Sequence, residues 1–169
     1  MNEAVGLSFT APLPTVELYL TNSTDFATVD STAMTRIYNE DISWSEGAFN
    51  HVKIEEDPAD YGWGTYDFTS HQVNGSRIYI IKLRNGDFKK IEIQSLISGI
   101  YTFRYANLDG SNEETHTIDK ADYDGKTLAY FSIENGTAQD LEPVQWDLVF
   151  TRYQTVLFCL LYTSPSPRD

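Results

Sequence analysis

Between Arg77 and Ser95 apolar and polar positions alternate, in the runs Arg77-Ile-Tyr-Ile-Ile-Lys-Leu-Arg84 and Asp87-Phe-Lys-Lys-Ile-Glu-Ile-Gln-Ser95. A period of two is the spacing of side chains on one face of a strand. The runs flank Asn85-Gly86, a pair that tolerates the positive φ angles of a type I′ turn. The spacing predicts a β-hairpin with a two-residue turn. Arg84 would then face Asp87, Lys82 face Lys89, Ile80 face Ile91 and Ile78 face Ile93. In that register four isoleucines form one core patch, and Tyr79, Ile81, Leu83 and Phe88 share the other face with Lys90 and Glu92. Both faces are partly apolar, so the hairpin is expected to be central and covered on each side.

Further along, Ser98-Gly99 predicts a turn, and Tyr101, Phe103 and Tyr105 alternate with Thr102, Arg104 and Ala106 as a half-buried strand. Asp109-Gly-Ser-Asn112 predicts the next turn, and the polar alternation from Glu113 to Asp119 an exposed edge strand. Two more strands are expected at Thr127 to Glu134, ended by Asn135-Gly136, and at Trp146 to Tyr153. In the amino-terminal half the strand pattern is clearest at Thr15 to Thr21. No amphipathic helix pattern stands out, so the chain reads as all-β, an antiparallel meander or sandwich around a central Asn-Gly hairpin.

Composition narrows the function. Apolar residues make up 41% of the 169 and aromatics 14%, enough to build a core despite a formal charge of −13. With 12 Lys and Arg against 25 Asp and Glu, a nucleic-acid partner is excluded, because such binding draws its affinity from neutralised phosphates. No run of eighteen apolar residues marks a membrane span, and Met1-Asn2-Glu3 does not begin an export signal. One cysteine, Cys159, leaves no internal disulfide. No nucleophile elbow, phosphate-cradling glycine loop or zinc-ligand spacing occurs, so no enzyme is expected.

Two blocks resemble the HmuY family of bacterial surface and secreted haem-binding proteins. Trp63-Gly-Thr-Tyr-Asp67, His71, Arg77-Ile-Tyr-Ile-Ile-Lys82, Asn85-Gly86 and Phe88-Lys-Lys-Ile91 are similar to the carboxy-terminal strands of such a domain. Tyr130-Phe-Ser-Ile133 followed by Trp146-Asp-Leu-Val-Phe-Thr-Arg-Tyr153 is similar to its amino-terminal signature, carried here by Trp146, Asp147, Phe150, Arg152 and Tyr153. Tail precedes head. The resemblance therefore implies tandem repeats: residues 1–119 hold most of one, and residues 120–158 the start of a second. Docking of the second onto the first would close the sheet and bury Trp146, Leu148 and Phe150. Residues 159–169, Cys-Leu-Leu-Tyr-Thr-Ser-Pro-Ser-Pro-Arg-Asp, resemble a translated sequencing-library adapter and are expected to be a non-native tail.

The resemblance implies haem capture at the cell surface or outside it, with His51 and His71, in the ligand-bearing middle, as the axial ligands. Each histidine has a plainer reading as a surface or structural residue, and His116, between Thr115 and Thr117, reads as solvent-exposed. Lys82, Arg84 and Lys89 cluster at the predicted hairpin tip, where they could meet the haem propionates or splay into water beside Asp87. Acidic stretches at Glu55-Glu56-Asp57, Asp109 to Glu113 and Asp122 to Asp124 lack the twelve-residue EF-hand spacing and read as solvated turns rather than calcium sites. Two functions remain. One is a carrier of haem or another small ligand, and the other a structural or adhesion β-module whose partners are neighbouring repeats.

Overall fold

The computed structural model describes residues 16–38 and 47–148. Eight strands form one antiparallel sheet: β1 (Glu17–Thr21), β2 (Met34–Ile37), β3 (Gly64–Asp67), β4 (Gln72–Gly75), β5 (Tyr79–Lys82), β6 (Phe88–Ile97), β7 (Ile100–Asn107) and β8 (Glu114–Asp119). A two-stranded ribbon, β9 (Tyr130–Ser132) and β10 (Thr137–Gln139), forms a separate ladder not hydrogen-bonded to that sheet. The protein is all-β.

The ten-residue β6 is the spine. Along one edge it pairs with β7, and along the other with β5 near its start and β4 near its end. Strands β4 and β5 are thus two halves of one line, broken at residues 76–78. Opposite the break the β6–β7 register shifts between Ile93 and Ser95, a bulge that bends the strand and increases local twist. Gly75 sits against this bulge, where a methyl group would overlap the Ile93 carbonyl. The extra residue also keeps Leu96 on the face of Ile91 and Ile93, opposite Tyr101. Together these features curl the sheet into a half-barrel.

The hairpin register differs by one residue from the expected one. Tyr79 faces Ile91, Ile80 faces Lys90, Ile81 faces Lys89 and Lys82 faces Phe88. The Gly86 amide donates to the Leu83 carbonyl at 3.0 Å and the Leu83 amide to the Asp87 carbonyl at 2.8 Å. Gly86 has φ +95°, so the loop is a three-residue type I turn closed by a glycine bulge, which Asn-Gly accommodates as readily as a type I′ turn. A one-residue slip exchanges faces. Ile78 and Ile80 therefore lie on the outer face with Lys90, and Ile91 and Ile93 on the inner face with Tyr79 and Ile81. The like-charge pair of Lys82 and Lys89 does not form. Lys82 lies 3.9 Å from Glu17 and over the Phe88 ring.

The main core is on the inner face, where Leu18, Tyr79, Ile91, Phe103 and Tyr105 are buried with Trp63 and Val73 from the β3–β4 end. On the outer face Phe26 packs on Ile78 and Ala106. Lys90, 1% exposed, donates to the Phe26 carbonyl at 2.7 Å and lies over the Phe26 ring. A buried ammonium needs such partners. The loop before β3 is held by Asp60, which accepts amide hydrogens from Gly62 at 2.7 Å and Ile54 at 3.1 Å and pairs with Arg77 at 3.2 Å.

Candidate functional site: an apolar cavity under a lid

Residues inward-facing on the curled sheet do not all find partners in the core. Ile91 and Ile93 on β6, Tyr101 and Phe103 on β7 and Ile118 on β8 form the floor of a cavity of about 700 Å³, with Phe49 at its side. A ligand pocket typically measures ~300–1,000 Å³. The chain after β8 roofs it. Asp119 caps a short 3-10 turn, Lys120–Tyr123, by accepting the Ala121 amide hydrogen. From there Tyr123, Leu128 and Phe131 line the cavity from above, with Lys120 and Lys126 also in its wall.

Two anchors hold this lid. At one end Phe131 meets Phe103 edge to face, 4.9 Å between ring centres, and lies 4.8 Å from the His116 ring. His116 in turn stacks on Tyr105, and both bond Glu114. Burial, followed by the hydrogen bond to Glu114, pushes the Tyr105 hydroxyl up to about 12. At the other end the Glu142 carboxylate accepts the amide hydrogens of Thr127 at 3.0 Å and Leu128 at 2.7 Å and the Trp146 indole hydrogen at 2.8 Å. The Thr127 amide leads the interactions that hold the Glu142 carboxyl below its ordinary range, outweighing desolvation. Glutamine in place of Glu142 would lose the charge behind three hydrogen bonds. Amide hydrogen exchange at Thr127 and Leu128 is expected to accelerate about tenfold or more while β6 and β7 amides stay protected; unchanged exchange at 127 and 128 would remove Glu142 as an anchor.

His51 and His71, expected as haem ligands, are both exposed, and neither lines the cavity. His51 follows the 3-10 turn Ala48–Asn50 and its side chain makes no hydrogen bond among the described residues. His71 occupies a left-handed position, φ +56°, in the β3–β4 turn, where its Nδ1 lies 2.7 Å from the Tyr66 hydroxyl. His116, read from sequence as solvent-exposed, is half-buried in the aromatic anchor. Among the described residues the lining contains no His, Met or Cys; its oxygen donors include the phenols of Tyr101 and Tyr123. Burial raises Tyr101 above the usual phenol range, with the nearby Tyr61 adding to the shift.

The second block docks differently from the expectation. Phe131 and Ile133 pack on the inner face, but β9 pairs with β10 rather than extending the main sheet. Residues 146–148 form no strand, Trp146 is 40% exposed and Leu148 is 78% exposed. Neither residue joins a strand of the sheet, and the Trp146 indole is instead tied to Glu142. Phe150, Arg152, Tyr153 and the tail lie outside the described residues.

A second, polar cavity of about 460 Å³ is lined by Asp87, Lys89, Glu113, Glu114 and Glu134 among others. Among the described residues no group of three or more His, Cys, Asp or Glu is placed to hold a metal ion, and no helix is long and apolar enough to cross a membrane. The acidic loops serve their own turns: Asp57 accepts the Ala59 amide hydrogen, and Asp109 that of Ser111. Comparison with protein-family models, curated protein sequences and solved structures finds no match.

Proposed function

We propose that this domain is a non-catalytic carrier of an apolar small molecule, which it holds between the inner face of the curled sheet and the lid of residues 120–133. The observation that carries the reading is the cavity of about 700 Å³ walled by isoleucine and aromatic side chains on a folded, acidic domain. Haem is the ligand that the HmuY resemblance implies, and the same resemblance implies action at the cell surface or outside the cell. A haem in this cavity would find Tyr101 and Tyr123 as oxygen ligands. Favouring the alternative, a structural or adhesion module without haem, are the exposure of His51 and His71 and the absence of both from the cavity lining.

Titration of the chain with haem, followed by the Soret band, and with oleate, followed by heat, tests the reading. Saturable binding of at least one is expected, with haem displaced by oleate if both bind. A haem complex lost in His51→Ala or His71→Ala would move the site to those histidines and away from the cavity. Saturation by neither ligand would favour the structural module.

A further inference from the structure

The charge of the cavity wall is opposite to that of the chain. The whole sequence carries 25 acidic against 12 Lys and Arg side chains, yet among the described residues the cavity lining includes Lys120 and Lys126 and no carboxylate. Excess acid elsewhere makes this segregation informative. Lys126 is shared with Asp140, whereas Lys120 makes no ion pair among the described residues and rests over the Tyr101 ring, 5.5 Å from its centre. Lys120 is exposed and Lys126 half-buried, while the isoleucine and phenylalanine side chains form the floor. The cavity thus combines an apolar body with a cationic wall.

Resting on the carrier reading, we infer that the ligand is an amphipathic carboxylate, its apolar part on the floor of Ile91, Ile93 and Phe103 and its carboxylate against Lys120 and Lys126. An ammonium beside a low-dielectric wall attracts a carboxylate more strongly than it does in open water, and burying the hydrocarbon fixes the orientation. Haem, through its propionates, and a long-chain fatty acid share this chemistry. A neutral ligand of the same shape keeps the apolar contacts and forfeits the ionic ones.

The test compares oleate with oleyl alcohol, and haem with its dimethyl ester, on the intact chain and on Lys120→Gln, Lys126→Gln and the double variant. An acid preferred over its neutral counterpart by about tenfold, abolished in the double variant and retained with arginine at both positions, is expected for the cognate pair. The neutral compounds should bind the double variant as they bind the parent, which separates lost recognition from lost folding. Binding only of the fatty acid, or only of haem, identifies the source of the carboxylate. Equal affinity for acid and neutral compound, or a preference that survives the double substitution, overturns the inference and leaves the carrier reading standing. Binding of none of the four compounds overturns both.

Discussion

Replacing Asp60 by alanine is expected to destabilise the domain by about 3 kcal/mol, because it strands a partly buried guanidinium and two amide donors. Asp60 is 8% exposed and holds the Gly62 and Ile54 amides and Arg77. Arg77 also donates to the Gly62 carbonyl, and Tyr79, at the centre of the core, donates its hydroxyl to the Phe49 carbonyl at 3.2 Å. Losing Asp60 therefore unfastens the loop that carries Phe49 to the side of the cavity. Desolvation pushes the Asp60 carboxyl up, but the amide hydrogens of Gly62 and Ile54, with Arg77, outweigh it and leave the pKa lowered. A folded pKa below the unfolded value, about 3.9, adds stability that is fully present above that value and is lost as pH falls through the folded pKa. Denaturant unfolding of parent and Asp60→Ala should therefore differ most near neutrality and converge below about pH 4. A constant difference across that range would show that Asp60 contributes shape and not charge.

Ile118→Trp should abolish most ligand binding, a loss of about 100-fold, while the domain stays folded. Ile118 lies on β8, which among the described residues is an edge strand paired only with β7, and its side chain forms part of the cavity floor. An indole there fills the space that the ligand would occupy. The open volume above Ile118 gives the indole room on the inner face, so the far-ultraviolet spectrum and unfolding midpoint should stay close to those of the parent. Unimpaired binding in a folded Ile118→Trp protein would locate the ligand elsewhere.

The carboxy-terminal half of the sheet was legible because its signals are local. The turn at Ser98-Gly99, with both residues at positive φ, the alternation of Tyr101, Phe103 and Tyr105, and the polar edge strand β8 all follow from period and turn chemistry. Hairpin register was not legible, since Asn85-Gly86 fits a two-residue and a three-residue turn alike and only the wider packing selects between them. The pairing of β1 with β5 and of β4 with β6 joins distant segments, and the bulge beside Gly75 has no sequence signal apart from the glycine itself. The strand predicted at Thr127 to Glu134 is shorter in the structure: among the described residues β10 pairs with Tyr130–Ser132, and the residues before them form the lid. The cavity draws Phe49, Ile93 and Leu128 from far-separated parts of the chain, so no motif marks it. Its floor was partly visible, however, in the alternation that puts Tyr101 and Phe103 on one face.

The central claim is that the ligand lies on the inner face, beneath the lid, and isoleucine methyl groups report it directly because they divide between the two faces. Nuclear magnetic resonance of chain labelled at isoleucine methyls, with oleate added to saturation, should move the signals of Ile91, Ile93, Ile118 and Ile133, which line the cavity. Ile78 and Ile80, fully buried on the outer face, should stay in place. Saturable shifts at Ile78 and Ile80 with the cavity isoleucines unmoved would contradict the account, as would the absence of any saturable change.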